Sequence, residues 1–232
     1  MAFLSRSRSP DSPDSADESG TSSSPPRNRT TLQRVIVVCD GVPEGDNAAQ
    51  LAASIARNTS ASVRAVTWLT PTVAHAAAAM DKAPIEEMLD RVTQQLYRCT
   101  RNPGFWRLAL VTGDFAPAVS KIVRTEQADL VIIPGPHATA DAAARIARAT
   151  GMPVARVFGR IDREDFRVRI TVAHQAASQR MARIAASVIT TAFRRESGVG
   201  SSAAAPIEMR NASVLRATSP TDGDDSGFTM ID

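Results

Sequence analysis

The chain has 232 residues, of which 43% are hydrophobic, and a formal net charge of +3, so it can form one sizeable domain or two small ones. No apolar run reaches the roughly 18 residues of a transmembrane helix, and the N-terminus lacks the apolar core of a secretory signal. The two cysteines and three histidines do not have the spacing of a disulfide scaffold or a metal site. We therefore expect a cytoplasmic protein without a metal.

The two ends of the chain are polar and of low complexity. Residues 1–30 hold almost no large apolar side chain after Phe3 and Leu4, and residues 197–232 are rich in Ser, Ala, Gly and Thr. Such segments bury too little apolar surface to offset the entropy of ordering the chain. We predict disordered tails at 1–30 and 197–232, with the folded structure between them.

The first half of the folded region alternates strand and helix patterns. RVIVVC at 34–39 is a continuous apolar run, which is typical of a strand covered on both faces. A helix follows, with Asp46 or Asn47 as its N-cap, and then a second strand at 62–69. Residues 70–83 are Ala-rich and give no clear pattern, so we predict irregular structure there. A second helix is predicted at 84–98 from its apolar positions at i, i+3, i+4 and i+7.

The alternation continues through the next 50 residues. The patterns predict strands at 106–112, 129–133 and 153–158, a helix from Asp114 to about 125, and a short helix at 140–149 that ends near Gly151. Strands that alternate with helices in this way form a parallel sheet with helices on both faces. The predicted fold class is therefore α/β, with a doubly wound, five-stranded parallel sheet.

Residues 161–196 form an additional strand–helix unit. The strand pattern covers 167–173, and the helix at 176–195 carries one long apolar face. That face needs a partner, which is either the first domain or another subunit. Two interpretations stay open: the unit extends the main sheet, or it is a vestige of a second copy of the preceding domain.

Charge is unevenly distributed along the chain. Residues 141–195 hold eleven arginines and four acidic residues, whereas the segment from 197 holds two arginines and five acidic residues. This pattern fits a solvated basic face with a tail that folds back weakly, and we favour that interpretation. The alternative is an interaction module that uses a basic face against an acidic protein, nucleic acid or a membrane surface.

Four segments in a fixed order resemble the universal stress protein (UspA-like) family. They are VIVVCDGVPEGDNAAQLAASIA, VTGDFAPAVSKIV, ADLVIIPGPH and PVARVF. The resemblance covers 31–160 and implies a Rossmann-like domain, similar to the adenine-nucleotide hydrolases, in a stress-response protein that forms a homodimer. It also implies a nucleotide crevice where the carboxyl ends of the first and fourth strands meet, the topological switch point of such sheets.

The resemblance identifies candidate residues in this crevice. Nucleotide-binding members of the family place an acidic residue after strand one against adenine, and Asp40, followed by Gly41, stands at that position. The alternative role for Asp40 is to form the turn before Gly41. Gly135 matches the first glycine of the family's phosphate loop, and His137 lies just after it.

The rest of the phosphate loop departs from the family pattern. Ala138 replaces the second glycine, the spacer is nearly absent, and Ala140 and Asp141 stand where Gly-Ser/Thr is usual. A carboxylate at the helix start repels phosphate, and Pro134 and Pro136 lack N–H donors. We therefore predict a non-enzymatic binding or regulatory protein with no expected cofactor, in which ATP binding of the family type is lost. The alternative is an ATP or AMP sensor with a remodelled loop.

Overall fold

The computed structural model describes residues 31–69, 71–79, 82–100, 106–135, 139–161, 163, 165–198 and 207–212. Its strands are β1 (Arg34–Val38), β2 (Ser62–Trp68), β3 (Arg107–Val111), β4 (Leu130–Pro134), β5 (Val154–Phe158), β6 (Arg167–Val172) and β7 (Ile207–Asn211). Its helices are α1 (Asp46–Asn58), α2 (Pro71–Ala78), α3 (Ala83–Cys99), α4 (Phe115–Glu126), α5 (Ala140–Thr150) and α6 (Ala176–Ser197). Among these helices, none combines the length and the apolar character that crossing a membrane requires.

The strands form one seven-stranded sheet in the order β3-β2-β1-β4-β5-β6-β7. All neighbours from β3 to β5 are parallel, which confirms the predicted doubly wound α/β fold and its five parallel strands. The chain winds to one side from β1 to β3 and to the other from β4 to β5. The switch point therefore lies between β1 and β4.

Two apolar clusters cover the two faces of the sheet. On one face α1, α3 and α6 pack through side chains such as Leu51, Val92 and Ile189. On the other face α4 and α5 pack through side chains such as Val119 and Ile146. Burial on both sides explains the continuous apolar runs of the central strands, since alternation appears only where one face is solvated.

The unit at 161–196 extends the main sheet. β6 pairs with β5 in antiparallel register, and the apolar face of α6 lies in the same cluster as α1. Phe166 is fully buried and stacks on Phe193 with ring centroids 5.2 Å apart. The first domain thus covers the apolar face that the sequence left without a partner.

Three local predictions are wrong. The stretch at 70–83 contains the helix Pro71–Ala78, because consecutive alanines favour a helix without marking an apolar stripe. The predicted tail at 197–232 contains β7, which pairs in parallel with β6; its mixed IEMRN composition gives no sign of a pairing that depends on a distant strand.

The third correction concerns the start of α1. Gly45 is the N-cap residue and no side chain caps the helix. Asp46 instead binds Arg98 through two hydrogen bonds of 3.0 Å, and Asn47 donates from Nδ2 to the Val157 carbonyl at 3.2 Å. The predictions of disorder for 1–30 and for the remainder of the C-terminal segment lie outside the described residues.

Candidate functional site

The carboxyl ends of β1 and β4 meet at the switch point of the sheet. Asp40 and Gly41 follow β1, and Gly135 follows β4, so the fold brings these three predicted residues to one edge. In doubly wound sheets this edge is where ligands bind. His137, the fourth predicted residue, lies outside the described residues.

Asp40 forms the turn that leads into α1. Its Oδ1 accepts a hydrogen bond from the Val42 amide at 3.1 Å and one from Gln95 Nε2 at 3.4 Å. Gly45 packs so closely on the carboxylate that a side chain there would collide with it. These contacts agree with the turn-forming role for Asp40, because the carboxylate serves neighbouring backbone.

Gln95 is a residue that the sequence analysis missed. Its side chain is fully buried, and its Oε1 accepts from the Gly41 amide at 3.0 Å while its Nε2 donates to the Val42 carbonyl at 3.1 Å. A buried amide with both ends satisfied fixes the loop after β1. The available signal was a glutamine on the apolar stripe of α3, three residues after the buried Val92.

The backbone of Gly135 is bound into the sheet. Its amide donates to the Val157 carbonyl at 2.7 Å, which extends the ladder between β4 and β5. Its carbonyl accepts from Arg156 Nη2 at 3.0 Å, and the Phe158 ring fills the space that a side chain would occupy. In this conformation the amide that should approach a phosphate already has an acceptor.

The N-terminus of α5 is capped from within. The Thr139 hydroxyl accepts from the Ala142 amide at 3.1 Å, as an N-cap residue does. Asp141 adds a carboxylate to the first turn and forms an ion pair with Arg145 at 3.0 Å. Sequence reasoning identified Asp141 but missed Thr139, although threonine directly before a helical run is a recognised cap signal.

A known protein family covers the part of the chain that contains this edge. The sequence model of the universal stress protein family matches residues 31–154, just over half of the chain. The chain belongs to the universal stress protein family. A search of curated proteins finds no match.

Solved structures of the universal stress protein family are also similar to the chain. A universal stress protein in complex with cAMP is 23% identical with a TM-score of 0.37, covering 54% of this chain and 95% of its own. A family member from Burkholderia pseudomallei is 23% identical with a TM-score of 0.41, covering 54% and 96%. A diketoreductase is 15% identical with a TM-score of 0.37, covering 79% and 66%. Similarity at this level does not indicate function.

This universal stress protein also has a cavity beside the start of α1. Its volume is about 600 Å³, and its lining includes Glu44, Asp46, Arg98 and Arg160. The lining holds two acidic and two basic side chains. The Arg98 guanidinium already forms hydrogen bonds with Asp46. Its size falls in the range of small-molecule sites, about 300–1,000 Å³.

The two thiols of this universal stress protein lie near the same edge and are inert. Both are buried. Burial raises the pKa of the Cys99 thiol to about 12 and raises that of Cys39 further above its ordinary range. Because the thiolate is the nucleophilic form, neither cysteine is suited to covalent catalysis.

Proposed function

We propose that this universal stress protein is a non-enzymatic binding or regulatory protein in which ATP binding of the family type is lost. The observation that carries the proposal is the Gly135 amide, which donates to Val157 at 2.7 Å and is therefore engaged in the sheet. Thr139 caps the helix that would face the phosphates, and Asp141 adds a negative charge there. Both features oppose an anion at this helix start.

The proposal includes a protein partner, and family resemblance suggests a second copy of the chain. In the sequence, the apolar face of α6 was the only feature that indicated self-association. Since that face packs against α1 and the sheet, a homodimer must use another surface. The oligomeric state of the full chain, measured by light scattering across concentration, tests this part.

The test of the main proposal is calorimetric titration of the full chain with ATP and AMP, with and without magnesium. cAMP is added because one of the compared structures contains it. We expect no heat of binding and no thermal shift at millimolar nucleotide. The thermal readout is sensitive, because a ligand at 100 times its Kd stabilises the fold by about 2.7 kcal/mol. Micromolar binding would overturn the proposal.

An ATP or AMP sensor is the second candidate, and the cavity of about 600 Å³ beside α1 favours it. If a nucleotide binds, variants distinguish binding at the switch point from binding in the cavity. Asp40→Ala weakens binding if Asp40 contacts adenine, whereas Arg98→Gln weakens binding if the nucleotide occupies the cavity. Asp114→Ala, at the start of α4, is the control that leaves either mode unchanged.

A further inference from the structure

A row of charged side chains crosses the last three strands of the sheet. Arg156 in β5 lies directly opposite Arg169 in β6, and Arg169 lies beside Glu208 in β7. Paired positions share one face of a sheet, as do positions two residues apart along a strand. The same face therefore also holds Arg167 and Arg210. These four arginines and Glu208 are called the arginine face.

No helix among the described residues covers the outer part of the arginine face. α6 packs on the opposite side of β6, through Val168, Ile170 and Val172. On the near side α5 packs over Val154 at the other end of β5. The side chains of Arg169 and Arg210 consequently stay 40% and 44% exposed, which leaves their charges accessible.

The charges of the arginine face are only partly compensated within the described residues. Glu208 accepts from Arg169 Nε at 3.1 Å and from Arg210 Nη2 at 2.6 Å. The guanidiniums of Arg156 and Arg169 both lie over the Phe158 ring, 5.0 and 5.2 Å from its centre. Like charges directly opposite each other destabilise a sheet, and one carboxylate does not balance four arginines.

Arg156 is only partly hydrogen-bonded among the described residues. Its Nη2 donates to the Gly135 carbonyl, but its buried Nε has no hydrogen-bond partner in the part of the chain that the structure describes. Burial, with the nearby Arg169 and Arg210, lowers the pKa of Arg156. A carboxylate that reaches the exposed neighbours Arg169 and Arg210 would offset this repulsion between like charges.

We propose that the acidic segment at 222–225 of this same chain docks on the arginine face. Its three carboxylates, from Asp222, Asp224 and Asp225, follow Ala212 by ten or more residues. The Ala212 amide donates to the Val172 carbonyl, so Ala212, the last residue of this described stretch, lies at the end of β7 beside the face. Ten residues span up to about 33 Å when extended, and three strands span only about 10 Å.

Charge and proximity favour this occupant over an external polyanion. Three aspartates match the excess of three positive charges that remains when Glu208 is set against the four arginines. A tethered segment also acts at an effective concentration of about millimolar for a short flexible linker.

The experiment places a nitroxide spin label on Ser226→Cys in the full chain and records the amide signals of β6 and β7. The native thiols are buried, so labelling is directed to the new cysteine. We expect the signals of Arg169, Ile170 and Met209 to fall below half of their intensity in the reduced, diamagnetic sample. The matched variant D222N/D224N/D225N should restore them, as should 1 M salt, where the Debye length is about 3 Å.

Substitutions on the arginine face test whether its positive charges hold the acidic segment. Arg169→Gln with Arg210→Gln should restore the signals of β6 and β7, whereas Arg107→Gln, at the opposite edge of the sheet, should leave the broadening unchanged. The proposal is overturned if the wild-type signals are not attenuated or if the triple aspartate variant attenuates them equally. It is also overturned if single-stranded DNA binds this face with salt-dependent affinity while the tail causes no attenuation.

Discussion

The switch-point edge and the β6–α6–β7 extension differ in the bonding and exposure of their polar groups. At the switch point Asp40 Oδ1, the Gln95 side-chain amide and the backbone around Gly41 hydrogen-bond to one another, and the Gly135 amide donates to Val157 in β5. Where the extension meets β5, Arg156 lies opposite Arg169, and Glu208 is the single carboxylate on this face among the residues that the structure describes. The polar groups named at the switch-point edge bind one another, whereas the added strands present charged side chains to solvent.

The largest expected effect tests whether the extension belongs to the same folding unit. Phe166→Ala removes a fully buried ring that stacks on Phe193, so we expect a loss of about 3–5 kcal/mol in the free energy of unfolding. Because α6 covers α1, the loss should appear in one cooperative transition in urea, followed by circular dichroism and by fluorescence.

Met209→Ala is the matched control for this substitution. Met209 is 54% exposed on β7, so its truncation should change the free energy of unfolding by less than about 0.5 kcal/mol. Two separate transitions in Phe166→Ala, with the second at the wild-type midpoint, would mean that the extension folds independently of the five parallel strands.

A smaller effect is expected at the switch point. Gln95→Leu keeps the volume but leaves the Gly41 amide and the Val42 carbonyl without their partner. We expect a loss of about 1–3 kcal/mol in the free energy of unfolding. The neighbouring Gln94 is exposed, and Gln94→Leu should be nearly neutral. Equal stability of the two variants in urea would show that the polar network does not hold this edge together.

The central fold was predictable because its signals are local. Runs such as RVIVVC and DLVII mark strands buried on both faces, and their alternation with helices fixes a parallel sheet. The extension was predicted as a strand and a helix, and its addition to the main sheet was one of two interpretations left open. Antiparallel pairing of β6 with β5 and the addition of β7 depend on contacts between distant segments, which a one-dimensional pattern does not encode.

The candidate site was predictable only in outline. The switch-point rule correctly places Asp40 and Gly135 at one edge. The partners that occupy their polar atoms come from α3 and β5, at Gln95 and Val157, far away in the sequence. Hydrogen bonds to the backbone of these loops depend on distances in three dimensions. The motif alone could therefore suggest a degenerate loop but could not identify which residues bind its backbone.

The smallest effect concerns the start of α5. Thr139→Ala removes the hydroxyl that accepts from the Ala142 amide, so we expect a loss of about 1 kcal/mol in the free energy of unfolding. Thr191→Ala is the control, because Thr191 is exposed within α6 and its hydroxyl donates to the Ser187 carbonyl; it should leave stability unchanged or slightly raised.

The same cap variant also tests what opposes phosphate binding at the start of α5. Thr139→Ala frees one amide at the helix start, yet Asp141 still places a carboxylate there. We therefore expect no gain in ATP affinity from Thr139→Ala alone by calorimetry. If this single change produced measurable ATP binding, the threonine cap would be the barrier at this edge. The engaged Gly135 amide and the Asp141 charge would then be secondary, because neither is altered by the substitution.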